Sequence, residues 1–276
     1  MIRPAHPPSV DVSRTSWPGE AAGRRALAEE TPVAFTFNRS TLAVMLASPA
    51  DLEDFAIGFS LTEGIIARPE DIEELDIVPG ETGIELRLWL APARAAAAES
   101  RRRRLAGPGG CGLCGIESLA EAARPAPEIA SAARFSGADI ATAVATLAPA
   151  QRLGALTRAT HAAGFWTPRE GLVALREDVG RHNALDKLAG ALAREGRTAA
   201  DGIVVLSSRL SVELVQKAAR IGAPMLAAVS APTARAVRTA EAAGITLIGI
   251  ARDDGFEIFT HPRRVTPAAE TPRHVA

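Results

Sequence analysis

The chain has 276 residues, of which 47% are hydrophobic and 23% charged, and a formal net charge of −1 at pH 7. This is globular composition, long enough for one large domain or two modest ones, and it exerts no global pull toward nucleic acid or a membrane surface. The longest apolar runs, such as 244–251, are far too short to span a bilayer, and the N-terminal stretch carries no apolar signal core.

Residues 1–30 are rich in proline and charge without sustained periodicity, and are expected as a loose tail. Segments 33–38 and 41–47 predict two strands joined through Asn38-Arg39-Ser40. Ser48-Pro49-Ala50-Asp51 opens a helix carrying Leu52, Phe55, Ala56 and Phe59 at helical spacing. Further strands are expected at 75–78 and 84–90, which makes 31–92 a small α+β part. A linker over 93–135 delivers the stretch Gly107-Pro108-Gly109-Gly110-Cys111-Gly112-Leu113-Cys114-Gly115, with both cysteines among five glycines and a proline.

That many backbone breakers predict a flexible loop. A disulfide between Cys111 and Cys114 would restrain little chain, and a structural zinc site would need about four ligands. The favoured reading is a reactive thiol pair, whose thiolate would be stabilised by nearby positive potential. Arg101 to Arg104 lie just upstream, although such a run is equally a solvated surface feature. Two cysteines and no targeting segment fit a reducing cytoplasm.

Beyond the linker, a helix is expected from Ser136 to about Leu153 with Ile140, Val144 and Leu147 inward, then a strand over 172–176 and a helix over 181–195. Apolar runs at 203–206, 225–229 and 245–250 alternate with helices at 212–221 and 232–243. This pattern predicts an α/β core domain over 136–262, a mostly parallel sheet with helices on both faces, followed by a tail over 263–276. Ligands of such sheets bind beyond the carboxyl ends of the strands. Three polar loops follow those ends: Ser207-Ser208-Arg209-Leu210-Ser211, Ser230-Ala231-Pro232-Thr233, and Ala251-Arg252-Asp253-Asp254-Gly255. Two of them lead into helices, whose free amides suit a phosphate, though a serine there is also an ordinary cap.

A further polar cluster is Glu177-Asp178-Val179-Gly180-Arg181-His182-Asn183, running into Ala184-Leu185-Asp186-Lys187. If the helix starts at Asp178, then Asp178, His182 and Asp186 share a face and hold the histidine between carboxylates. Thr160-His161-Ala162-Ala163 offers a second histidine in an expected turn.

Together with Gly110-Cys111-Gly112-Leu113-Cys114-Gly115 and Ser230-Ala231-Pro232-Thr233, this block makes the chain resemble the FdhD family, sulfur carriers required for formate dehydrogenase activity. The resemblance runs from about residue 33 to 264. It departs from the family pattern at Thr157-Arg158-Ala159-Thr160-His161, where the family usually has Thr-Gly-Gly-Thr-His, and at Ser207-Ser208-Arg209, where it usually has Ser-Gly-Arg.

The resemblance implies a cytoplasmic homodimer with a cytidine-deaminase-like core. It implies a persulfide relay in which Cys111, with Cys114, accepts sulfur from a cysteine desulfurase. The sulfur then passes to the bis-guanine-dinucleotide molybdenum cofactor, bound as substrate and partly mimicked by GDP, before insertion into formate dehydrogenase. The family's cofactor contact falls on Ile250, Ala251, Arg252, Asp253, Asp254 and Gly255, with Arg209 as a further candidate. No metal ligand set, nucleic acid or membrane partner is expected. The alternatives are a non-catalytic cofactor chaperone and a redox Cys-x-x-Cys protein.

Overall fold

The computed structural model describes residues 6–19, 21–94, 125–252 and 254–266. Residues expected within a loose tail instead pair as an antiparallel hairpin, β1 (Ser9–Thr15) with β2 (Ala22–Ala28). The reason for the difference is that backbone pairing orders this hairpin. Its side chains bury little, so no strong apolar pattern announces it.

The first sheet is built from β3 (Thr31–Phe37), β4 (Ser40–Ala47), β5 (Ile72–Pro79) and β6 (Ile84–Leu90), in the order β4-β3-β6-β5. Asn38 and Arg39, at φ 46° and 68°, make the left-handed two-residue turn that matches strand twist in a hairpin. Helix α1 (Leu52–Thr62) covers this sheet. Phe35, Phe55 and Phe59 form its aromatic centre, with ring centroids 4.9 Å apart for Phe35–Phe55 and 4.2 Å for Phe35–Phe59.

The second sheet follows β7 (Phe135–Ser136), α2 (Gly137–Ala150) and α3 (Arg152–Thr157). Ser136 and Asp139 form a reciprocal capping box that starts α2. The single helix expected to reach Leu153 is broken at Gln151 (φ −76°, ψ 90°), where the backbone leaves helical geometry two residues after Pro149. Next come β8 (His161–Thr167), β9 (Gly171–Asp178), α4 (Arg181–Arg194), β10 (Ile203–Leu206), α5 (Val212–Arg220), β11 (Met225–Ala228), α6 (Ala234–Ala243), β12 (Thr246–Arg252) and β13 (Gly255–Ile258). The strand order is β13-β12-β11-β10-β8-β9.

This sheet is mixed, which corrects the expectation of a mostly parallel one. Only β10, β11 and β12 run parallel to their neighbours in the series, while β8 is antiparallel to both β9 and β10, and β13 is antiparallel to β12. The turn expected at His161 is the start of β8. The run Ala162-Ala163-Gly164 is small enough to be read as a turn, but Phe165 and Trp166 beyond it are buried.

Helices cover both faces. Ile203 and Val205 of β10 pack with Ile140 and Leu147 of α2, while Val204 and Leu206 pack with Leu185 and Leu188 of α4 and Leu214 of α5. Alternate side chains on both faces are therefore apolar, which explains the unbroken apolar runs. The expected C-terminal tail is docked at its start, since β14 (Val265–Thr266) pairs with β7 and Arg264 donates to the Gly244 carbonyl. Among the described residues, no helix is long and apolar enough to cross a membrane.

Candidate functional site

The polar block that follows β9 does two separate jobs, and the first is structural. Helix α4 begins at Arg181, so Asp178 sits at the end of a strand and does not share a helix face with His182 and Asp186. Asp178 and Lys187 form an ion pair of 2.6 Å in which both side chains are fully buried. Lys187 Nζ also donates to the Ser48 carbonyl at 2.8 Å, and the Ser48 N–H donates to Asp178 Oδ2 at 3.0 Å. Asp178 Oδ1 accepts from the Gly180 N–H and from Asn183 Nδ2, whose amide also donates to the Leu46 carbonyl. Every acceptor of the buried carboxylate is thus occupied, as burial of a charge demands.

Asp186 belongs to a second such brace. Lys217 Nζ donates to Asp186, Glu63 and Thr62 Oγ1, while Thr62 Oγ1 donates to Asp186 Oδ1 at 2.6 Å. Burial works against the Lys217 charge, but Asp186 and Glu63 outweigh it and hold the ammonium above its usual value. Lys187 and Lys217 also sit 5.4 Å and 5.6 Å over the rings of Phe55 and Phe59. Between the two braces, α1 and α4 touch backbone to backbone. A Cβ on Gly58 would fall 1.7 Å from the Asp186 carbonyl oxygen, and one on Gly190 1.9 Å from that of Asp54.

The second job is to furnish the mouth of the sheet. The three polar loops converge as the sequence predicts, at the carboxyl ends of β10, β11 and β12. Leu210 bridges Pro232, the Thr233 N–H donates to the Leu210 carbonyl at 3.0 Å, and the Ile250 N–H reaches the Ser230 carbonyl at 3.3 Å. Thr233 Oγ1 caps α6 by accepting from the Ala236 N–H, the ordinary use of such a side chain. Ile250 adopts φ 52° where the register slips between Gly249 and Arg252. A β-branched residue rarely tolerates that region, so the backbone here is strained. Ala251 is buried, while Arg209, Arg252, Asp254 and Gly255 are exposed. Cys111, Cys114, Arg101 to Arg104 and Asp253 lie outside the described residues.

His161, Arg181 and His182 stand at this same end. His161 opposes Asp178 in the β8–β9 register, and the next residue exchanges bonds with Ser207, through Ala162 N–H to Ser207 Oγ and Ser207 N–H to the Ala162 carbonyl. His182 Nε2 is 3.5 Å from Ser211 Oγ and 3.8 Å from Glu213 Oε2. The second distance is ion-pair range, longer than a hydrogen bond. Glu213 is the carboxylate partner of His182, in place of Asp178 and Asp186. Burial alone would raise its carboxyl, but His182, the Ser211 hydroxyl and its own N–H hold it down at about 2. Burial first, then the charges of Arg181 and His182, push the His161 imidazole below its usual value, against the opposing pull of Asp178. Glu177 is used elsewhere, accepting from the Leu153 and Gly154 amides at the start of α3.

Sequence reasoning found the loops, Ser211 among them, and the two histidines but missed Glu213 and Lys217. Both lie on α5, an amphipathic helix, where polar residues are by default expected on the solvated side. Glu213 and Lys217 are four residues apart, so one helix face carries both toward α4.

Comparison with known proteins matches residues 28–266 to the model of the FdhD/NarQ family. The chain belongs to this family. It is 56% identical over 246 residues to the sulfur carrier protein FdhD of Agrobacterium fabrum, covering 89% of this chain and 91% of that one. The FdhD protein of Brucella abortus is 57% identical over 242 residues (87% and 90% covered), and that of Cupriavidus necator 52% over 241 residues (87% and 83%). Among solved structures, a protein proposed as a formate dehydrogenase accessory from Desulfotalea psychrophila aligns with a TM-score of 0.75 and 25% identity, over 94% of this chain and all of that one.

Proposed function

We propose that this FdhD/NarQ family member is a sulfur carrier serving a formate dehydrogenase. The observation that carries this reading is identity of 56% with a protein named as a sulfur carrier over 89% of the chain. The two cysteines, Cys111 and Cys114, are the only thiols present to do the work. The finer features of the reading are a cytidine-deaminase-like core, a cytoplasmic homodimer, a cysteine desulfurase as donor and the bis-guanine-dinucleotide molybdenum cofactor as substrate.

In the first step the Cys111 thiolate attacks the outer sulfur of a persulfide on the desulfurase. A new S–S bond forms on Cys111, the old one breaks, and the desulfurase cysteine leaves as a thiolate. Delivery of that sulfur at the oxidation level of sulfide needs two electrons. Attack by the Cys114 thiolate on Cys111 Sγ supplies them and leaves a Cys111–Cys114 disulfide, which a thiol reductant reopens. The mouth around Ile250 to Gly255 and Arg209 would receive the anionic nucleotide ends of the cofactor. The strained Ile250 and the convergence of polar loops support such a use, because strain of this kind is concentrated at functional sites.

The test is mass spectrometry after incubation with a cysteine desulfurase and cysteine. The reading requires one additional sulfur on Cys111, removable by reductant and absent from Cys111→Ala. Sulfur on Cys114 alone reverses the two roles. Sulfur on neither cysteine, with cofactor binding intact, leaves the non-catalytic chaperone instead.

A further inference from the structure

Arg181 serves neither of the two ion braces nor a helix cap. Among the described residues its guanidinium has no hydrogen-bond acceptor or carboxylate partner, and its Nε is buried and unsatisfied. Arg176, by contrast, pairs with Asp54 at 2.7 Å, and Arg264, whose Nε is likewise unsatisfied, donates through its other two nitrogens to carbonyls. The charged groups around Arg181 are already committed. Asp178 is taken by Lys187, Glu213 lies beside His182, and Glu177 caps α3. Arg209 and Arg252 at the mouth are exposed to solvent, whereas Arg181 is half-buried and unmatched, beside the depressed, half-buried imidazole of His161.

We propose that Arg181, with His161 and His182, forms a subsite for a phosphate or diphosphate group at the mouth of the second sheet. Three cationic or potentially cationic side chains from two elements, β8 and α4, are assembled there around the unmatched charge of the guanidinium. The guanidinium fork suits phosphate oxygens, and the imidazoles add donors when protonated. Burial, then Arg181 and His182, disfavour the proton on His161 in the free protein, while Asp178 favours it and Glu213 is occupied by His182. An arriving anion reverses the balance, so His161 takes up a proton as the ligand binds. The proposal rests on the reading of this mouth as a nucleotide site and adds which side chains take the phosphates.

Calorimetry on the full chain with pyrophosphate, GDP and guanosine, in buffers of different ionisation enthalpy near pH 7, tests it. Pyrophosphate and GDP are expected to bind much more tightly than guanosine, and to bring more protons onto wild type than onto His161→Gln once the exchange of the ligands' own terminal phosphates, common to both, is set aside. Arg181→Gln should weaken both phosphate ligands about 10- to 100-fold, with Arg181→Lys in between. That difference in proton uptake between wild type and His161→Gln is required even if Arg181→Gln does not fold. GDP binding with equal affinity to wild type and the Arg181 variants, without competition from pyrophosphate, overturns the subsite and leaves the nucleotide reading standing. Pyrophosphate binding that needs Arg181, with GDP no tighter than guanosine, supports a subsite for free phosphate and removes the nucleotide reading. Absence of binding by all three ligands overturns both.

Discussion

Single residues of the mouth carry consequences that titration can reach. Glu213 is held at about 2, below the ordinary 4.5 of a glutamate, so its contribution to stability is complete above the unfolded value and lost as pH falls toward 2. Glu213→Gln should therefore lower the denaturation midpoint at neutral pH and flatten its fall between about pH 4.5 and 2. His161 behaves oppositely: its folded value lies below 6.5, so just below pH 6.5 the unfolded chain binds more protons. Stability should rise with pH across that window, and His161→Asn should reduce the slope. The two family departures at Arg158 and Ala159 are also distinguishable. Arg158 ends α3 at φ 58°, in the left-handed region, whereas Ala159 is not among the positive-φ residues. Arg158→Gly should be neutral or stabilising by up to about 1 kcal/mol, because relief of strain outweighs the extra freedom of the unfolded chain. Ala159→Gly has only the second effect and should destabilise by about 0.4–1 kcal/mol. Thermal unfolding of the two single variants decides this.

Among the elements, α1 and α4 are paired by two glycines and two buried ion networks, and their substitution should be severe. A methyl group at Gly58 or Gly190 meets a backbone carbonyl that cannot swing aside, so either Gly→Ala variant should lose about 3 kcal/mol or more in denaturant titration. Lys187→Met strands the Asp178 carboxylate in a fully buried site and should cost about 3–5 kcal/mol. The double variant Asp178→Asn/Lys187→Met should recover part of that loss, since no charge then remains unpaired. The polar block was legible as unusual, because a strand-to-helix junction with one aliphatic side chain in seven residues exceeds what capping requires. Its purpose was not legible. The partners Ser48, Leu46, Glu63 and Thr62 lie over a hundred residues away, and no local spacing reveals a long-range acceptor. Local signals served better where local rules dominate, as at the Asn38-Arg39 turn and the buried β10 to β12 runs. Strand β8 was lost because its small residues Ala162-Ala163-Gly164 read as a turn, and the mixed sheet was not legible because strand direction depends on which neighbour a strand joins.

At the scale of the whole molecule, the two sheets are not independent bodies joined by a linker. Charges on one are neutralised by groups on the other: Asp54 with Arg176 and Arg194, Glu63 with Lys217, and Ser48 with the Asp178–Lys187 pair. Opening the seam would break these pairs together, and any charge left buried in either half would lack its partner, so partial unfolding of one sheet alone is disfavoured. Denaturation followed by near-UV and far-UV circular dichroism should give coincident single transitions for the described core. Two separated transitions would show that the seam yields first. Trp89 lies in the first sheet and Trp166 in the second, so single-tryptophan variants should report the same midpoint.

The backbone contact at Gly58 and Gly190 also governs how such a chain can be recombined. A chimera taking residues 31–94 from one relative and 125–266 from another brings together surfaces shaped by different histories. It will fold only if the donor of the first segment presents a glycine under the Asp186 carbonyl and the donor of the second presents one under that of Asp54. A loop can be exchanged between such parents with little regard for its neighbours, but these two segments have to be inherited as a matched pair.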